Sequence, residues 1–297
     1  MNELTPKLIV VVGPTASGKS SLAVLLAKKF NGEVVSADSR QVYRGFNLGS
    51  GKVTKKEMDG ITHHMLDVAD PKRIFTASHY ARLGGKVIKD IVRRGKTPII
   101  CGGTGFYIRA LVDGLVIPDA KPNAKLRKEL EKKTNDELFK ILKKNDPGRA
   151  STIDSKNPRR LIRALEIIDA LGKVPEIKKN PLPHPTLFIG ISKKQELLKN
   201  LVIKRLEKRI QLGMLAEIKK LHAGGLSWKK LESFGLEYRY TALLLQNKIN
   251  KETFIHELTK QILDYSKRQM TWFKPDIRIH WVTKSVEAEK LARVFLK

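Results

Sequence analysis

Hydrophobic positions along the chain follow two rhythms. Residues 8–12 are an uninterrupted apolar, β-branched run, the pattern of a strand buried on both faces. Residues 21–30 (SLAVLLAKKF) follow with the apolar content of a packed helix. Short strand-like runs recur at 33–37, 97–101, 187–191 and 277–282, and helical patterns at 78–94, 106–112, 253–274 and from 286 onward. Gly95 supplies a stop signal for the 78–94 helix. Alternation of buried strands with helices predicts an α/β fold: a parallel sheet core of the P-loop type with helices on both faces. Residues 44–73, with Gly45, Gly49, Gly51 and Gly60, carry neither rhythm and read as irregular.

The pattern changes near Pro118. Residues 119–181 lose strand character, and 125–132 and 135–144 read as short charged helices. Asn157-Pro158 opens another helix with proline in its first turn, and the three prolines of 180–185 mark a boundary. The expected organisation is a core of 1–118 and 182–297 interrupted by a small all-helical insertion, 119–181. After it, Leu198, Val202, Leu206 and Ile210 recur every four residues and would face the core, with Lys204, Arg205, Lys208 and Arg209 on the remaining, solvated sides. Trp272 and Phe273, at the end of the 253–274 helix, read as core residues in preference to a base-stacking pair.

Between the first strand and its helix lies Gly13-Pro14-Thr15-Ala16-Ser17-Gly18-Lys19-Ser20, which fits the phosphate-binding P-loop G-x-x-x-x-G-K-[ST] in the strand–loop–helix context that the motif requires. Glycines let the backbone wrap so that several N–H groups face one anion, and the helix N-terminus adds partial positive charge. Lys19 would reach the terminal phosphates, and the Ser20 hydroxyl would sit on Mg²⁺. The chain therefore binds a di- or triphosphate. Asp38 follows the second strand, at the sheet edge where ligands collect; a turn or helix-capping role competes with a functional one there. Gly102-Gly103-Thr104-Gly105 forms a second glycine-rich strand-to-helix turn, with Thr104 as a candidate N-cap. His63 and His64 are adjacent, point apart, and read as satisfied structural histidines rather than a metal pair.

Charge narrows the partner. Lys plus Arg number 58 against 30 Asp plus Glu, a formal net charge of +28 that favours a polyanion. The lone Cys101 excludes a disulfide framework and a cysteine zinc site, and reads as a small strand residue in a reducing, cytoplasmic setting. Glu3 and Lys7 flank too short an apolar run for a signal peptide, and no stretch reaches the length of a membrane span. A monomer is the default expectation.

Six blocks carry a resemblance: GPTASGKS at 13–20, SADSRQVYRG at 36–45, HHMLDVADP at 63–71, GGTGFYIRAL at 102–111, NPRRLIRALEI at 157–167 and KRQMTWF at 267–273. In this order the chain resembles the tRNA dimethylallyltransferases, also called tRNA isopentenyltransferases. The resemblance implies transfer of a five-carbon group from dimethylallyl diphosphate to the exocyclic amine of the adenine 3′ of the anticodon in tRNA, releasing pyrophosphate. It implies that Gly13 to Ser20 hold the diphosphate with Mg²⁺ on Ser20, that Asp38 is the general base, and that Lys19 and an arginine on the basic helix stabilise the leaving group. Arg209 matches that arginine, with Arg205 next. It also implies that tRNA meets Asp38, Ser39, Arg40, Gln41, Thr104, Arg159, Arg160, Leu161, Ile162 and Arg163. Three segments depart from the family pattern: Ser50-Gly51-Lys52-Val53 stands for TAKP, Gly235-Leu236-Glu237-Tyr238 for GYKE, and IQLGMLAEI is about one helical turn short. The residues alone leave three rivals: a small-molecule P-loop kinase, a prenyltransferase acting on free adenylate, and a non-catalytic RNA-binding switch.

Overall fold

The computed structural model describes residues 6–176 and 178–297; Glu3, used in the N-terminal reading, lies outside them. Chain order begins β1 (Leu8–Val12), α1 (Lys19–Lys29), β2 (Gly32–Ser36), α2 (Lys55–Met58), β3 (His63–His64), α3 (Ala77–Arg93), β4 (Thr97–Cys101) and α4 (Gly105–Val112). After an excursion the core resumes with β5 (Thr186–Ile191), then α helices over Gln195–Gln211, Met214–Ala223, Trp228–Ser233, Leu236–Leu245 and Lys251–Phe273. It closes with β6 (Ile279–Val282) and a last helix, Ser285–Leu296. The excursion holds α5 (Ala124–Leu130), α6 (Asn135–Asn145), α7 (Pro147–Ala150) and α8 (Pro158–Leu171), so the later helices are α9 to α14.

The sheet has the order β3-β2-β4-β1-β5-β6, with every pairing parallel. All five residues of β1 are fully buried, as a strand covered on both faces demands. Ile9, Val11, Val34, Ile99 and Ile189 pack with Leu22, Leu26 and Ala27 of α1 and Ala288 and Ala292 of α14. On the opposite face Tyr80, Ile88 and Ile91 of α3 are fully buried, and the Tyr80 hydroxyl donates to the Ser36 carbonyl at 2.9 Å. Residues 44–73 hold one helical turn, α2, closed by a Thr54–Glu57 capping box, and the two-residue edge strand β3. Periodicity could not have shown elements this short.

The chain divides into two compact units, Met1–Gly114 with Pro181–Lys297, and Leu115–Asn180. The second unit has its own core of Leu130, Leu138, Leu142, Ala150, Leu161 and Leu165. Buried Glu166 accepts from Arg127 at 2.6 Å within it. Among the described residues no helix is long and apolar enough to cross a membrane.

Candidate active site

The carboxyl ends of β1, β2 and β4 open on a cavity of about 450 Å³, enough for a small phosphorylated ligand. Its floor is the P-loop. Gly13 has φ 142 and Gly18, the residue before α1, has φ 95. Any side chain would be strained at both, and a Cβ on Gly13 would lie 2.9 Å from the Ile191 carbonyl oxygen. Ala16 holds a left-handed φ of 59 without that freedom, a conformation tolerated where the surroundings over-determine it. The Ser17 hydroxyl lines the cavity, is buried and has no partner among the described residues, so it is a donor available to an acceptor. Lys19 Nζ donates to the Pro14 carbonyl at 2.5 Å, and burial pushes its pKa down to about 8. Ser20 and Ser21 also line the cavity.

Asp38 faces the same cavity. Its Oδ1 accepts from the backbone N–H groups of Arg40 at 2.7 Å and Gln41 at 3.3 Å, a turn that orients the carboxyl. Neither bond uses Oδ2. The turn role and the cavity position therefore coexist in one residue. Ser39 N donates to Thr104 Oγ1 at 3.0 Å, so the Thr104 hydroxyl ties two loops together instead of capping α4. The Gln41 amide donates to the Gly51 carbonyl at 3.3 Å. Arg40 is turned away: its Nε donates to the Phe234 carbonyl at 2.8 Å and its guanidinium lies over the Phe234 ring.

The basic helix α9 differs from its sequence reading. Leu198, Val202 and Leu206 are buried as expected, but Arg209 is buried with them, while Ile210 is only half-buried. Arg209 donates to Glu237 at 2.5 Å and to the Gly49 carbonyl at 3.5 Å. Arg205 donates to the Gly51 carbonyl at 2.9 Å and lines the cavity beside Lys204 and Lys208; burial and the Arg209 charge lower its pKa. Thus Arg205 fronts the cavity and Arg209 stands behind it. Two of the three departures from the family pattern lie here: Gly51 of the first supplies a carbonyl to Arg205, and Glu237 of the second supplies the counter-charge to Arg209. Glu217 of α10 fixes the same loop from its other side, accepting from Asn47, Leu48 and Gly49 N–H groups at 2.7–3.2 Å.

Sequence reasoning missed Gln269. Its Oε1 accepts from Thr15 N at 2.8 Å and its Nε2 donates to the Gly103 carbonyl at 3.0 Å, so α13 clamps the P-loop to the second glycine turn. The signal was present: Leu258, Ile262, Ser266, Gln269 and Phe273 form the buried stripe of α13, and a glutamine in such a stripe needs partners. His64 is satisfied by Glu33 at 2.7 Å, but His63 is not: Nδ1 meets the Ile61 carbonyl while Nε2 stays unpartnered at the cavity wall. Cys101 is a buried strand residue, as read, with burial raising its thiol to about 12. Phe273 is core; Trp272, expected there too, is 38% exposed.

In the helical unit, Arg159 and Arg160 are exposed on α8, whereas Arg163 donates to the Ala120 carbonyl at 2.7 Å. Leu161 and Ile162 are buried in that unit's core and offer no side chain to a nucleic acid. The helical period that exposes Arg159 and Arg160 turns these two inward.

Residues 41–276 match the family model of IPP transferase. The chain belongs to the IPP transferase family. Two relatives of this IPP transferase are named tRNA dimethylallyltransferase 2, from Trichlorobacter lovleyi, and tRNA dimethylallyltransferase, from Staphylococcus epidermidis. Each is 38% identical, over 93% and 96% of this chain and 91% and 89% of its own length. Among solved structures, the full-length tRNA isopentenylpyrophosphate transferase of Bacillus halodurans is 33% identical with a TM-score of 0.74, covering 98% of this chain and 96% of its own. A eukaryotic dimethylallyltransferase acting on tRNA is 29% identical with a TM-score of 0.79, over 98% of this chain and 77% of its own. The chain is thus an enzyme, a prenyltransferase built on a P-loop-like core.

Proposed function

We propose that this IPP transferase moves a dimethylallyl group from dimethylallyl diphosphate to the N6 amine of the adenine 3′ of the anticodon in tRNA, releasing pyrophosphate. One observation carries the reading: a single cavity joins an anion cradle to a carboxyl held by two backbone N–H groups. The C1–O bond of the donor breaks, and its electron pair leaves with the diphosphate. N6 attacks C1 and forms the new C–N bond. Its proton passes to Asp38, whose Oδ1 is fixed by the turn. Ser17, Lys19 and the loop N–H groups meet charge that grows on the diphosphate as the bond breaks, and Arg205 adds to them at the cavity front. Arg209 holds the loop carbonyl and Glu237 behind Arg205.

Mg²⁺ fits this donor set. Among the described residues no group of three His, Cys, Asp or Glu side chains could hold a metal alone. Mg²⁺, however, favours one or two protein oxygens plus phosphate oxygens. The Ser20 hydroxyl would hold it, and it would neutralise diphosphate charge. The RNA side would use Asp38 to Gln41 and Thr104, with Arg159 and Arg160 on the helical unit, while Arg163, held to the Ala120 carbonyl, supports that unit from within. A base in a single-stranded loop can be unstacked to reach a buried electrophile.

The test is transfer itself. With Mg²⁺, labelled dimethylallyl diphosphate and unmodified tRNA, label is expected on that adenine, and Asp38→Ala should lower the single-turnover rate by about 10²- to 10⁴-fold. Prenylation of free AMP in preference to tRNA, or ATP consumption with no prenyl transfer, overturns the reading.

A further inference from the structure

Tyr265, Arg268 and Trp272 lie at i, i+3 and i+7 on α13 and so share one helix face. The row starts in the cavity, which Tyr265 lines, and runs outward. Arg268 sits over the Tyr265 ring at 5.9 Å from its centroid, and Arg109 over the Trp272 ring at 5.9 Å. Trp272 is 38% exposed, unusual for the largest apolar side chain in a chain with ample core. Its placement is built in. A Cβ on Gly105 would lie 2.1 Å from Trp272 Nε1, as a Cβ on Gly103 would lie 2.0 Å from Gln269 Nε2. The two glycines of one turn therefore seat two consecutive turns of α13, the inner one closing the cavity and the outer one presenting an indole. Beside it, α4 shows solvent only Phe106 and Arg109 over its first five residues. The row itself is aromatic and arginine; Arg109 is held from behind by Asp113 at 3.5 Å, which fixes its guanidinium against the indole.

Seven residues of helix span about 10.5 Å, the axial reach of roughly three nucleotides at 3.4 Å each. A patch of this chemistry and length, continuous with the cavity wall, suits unpaired bases rather than phosphates alone. We propose that Trp272, backed by Arg109, stacks on an unpaired base of the RNA loop that flanks the target adenine, and that the Tyr265–Arg268–Trp272 row thereby holds the loop open at the cavity mouth. This rests on the RNA-modifying reading above, and charge complementarity with the +28 chain commits the occupant to RNA.

The chain has three tryptophans, and Trp228 and Trp281 lie elsewhere, one stacked on His222 and one in β6. Equilibrium titration uses the full chain and an anticodon stem-loop RNA carrying a fluorophore, so that anisotropy reports binding while tryptophan emission reports stacking. Binding should quench emission in the wild type, the quench should be absent in Trp272→Phe, and an abasic flanking nucleotide should abolish it. Trp272→Ala should raise the RNA Kd about tenfold, and Trp272→Phe should restore most of that affinity. The dimethylallyl diphosphate KM should stay unchanged in both, which a merely structural role for the indole would not leave intact. Binding without a Trp272-dependent quench, or wild-type RNA affinity in Trp272→Ala, overturns the proposal. Absence of RNA binding by anisotropy instead overturns the reading on which it rests, and neither outcome depends on chemical turnover.

Discussion

Lys19 is the residue whose environment makes the sharpest demand. Burial lowers its pKa to about 8, because an enclosed ammonium loses hydration that one carbonyl only partly replaces. Below about 8 the free enzyme presents a cation to the diphosphate; above it the amine is neutral and that attraction is lost. The kcat/KM for dimethylallyl diphosphate, which reports groups on the free enzyme, should therefore fall as pH rises through about 8. Lys19→Arg, charged throughout, should be slower overall but should lack that inflection. A wild-type profile flat to pH 9.5 would show that Lys19 does not carry the binding charge. The P-loop and Asp38 were legible in the sequence because their meaning is local: eight contiguous residues, and one position at a strand end. Arg205 and Arg209 were named for the site only through the family resemblance, and their burial was not legible. A stripe of Leu198, Val202, Leu206 and Ile210 assigns arginines to solvent, and only partners from distant segments, the Gly49 and Gly51 carbonyls and Glu237, let a guanidinium replace an isoleucine on the buried side.

At the scale of elements, the sheet separates function from stability. Its carboxyl edge carries the cavity, while the opposite end of β2 carries Glu33, its second residue, buried at 1% exposure. Glu33 accepts from Arg94 at 2.5 and 2.7 Å, Lys96 at 2.8 Å and His64 at 2.7 Å, joining β2, β3 and the turn before β4. The Arg94 bonds above all hold its carboxyl well below the ordinary carboxylate range. A depressed native pKa contributes stability above the unfolded value, near 4.3, and loses it as pH falls toward the native one. Glu33→Gln should therefore cost about 2 kcal/mol at pH 7, discounted because Arg94 and Lys96 remain over a third exposed. In thermal melts from pH 7 to pH 3 the gap between the two proteins should stay constant down to about pH 4.5 and narrow below it. A gap constant over the whole range would place the effect in packing rather than charge. The strands themselves were readable from apolar runs, but this cluster was not, since an acidic residue opening a strand looks like an exposed one until three partners converge on it. Gln269 teaches the same lesson for helices: its clamp joins residues 254 apart in sequence, which no window reads.

At the scale of the molecule the excess charge sorts ligands by where they bind. A formal +28 raises the local concentration of any polyanion, and each phosphate neutralised releases counterions, so RNA affinity should fall linearly on a log–log plot against salt. The small donor would differ: on the proposed reading it meets Lys19 and Arg205, partly buried cations that salt screens less, so its KM should change far less over the same range. Individual arginines can then be separated by what the fold already asks of them. Arg159 and Arg160 are exposed, Arg160 with only a 3.7 Å solvent-exposed pairing to Asp154 to give up, whereas Arg163 is held to the Ala120 carbonyl and beside Glu166. Arg159→Ala and Arg160→Ala should each reduce the salt slope for RNA by about one, with near-uniform loss across tRNA sequences. Arg163→Ala should leave the slope nearly intact and instead lower the melting temperature, because it removes a bond inside the helical unit. A slope that drops by one in Arg163→Ala but not in Arg159→Ala or Arg160→Ala would mean that RNA binding rebuilds this unit, pulling Arg163 off its carbonyl and turning α8 about its axis.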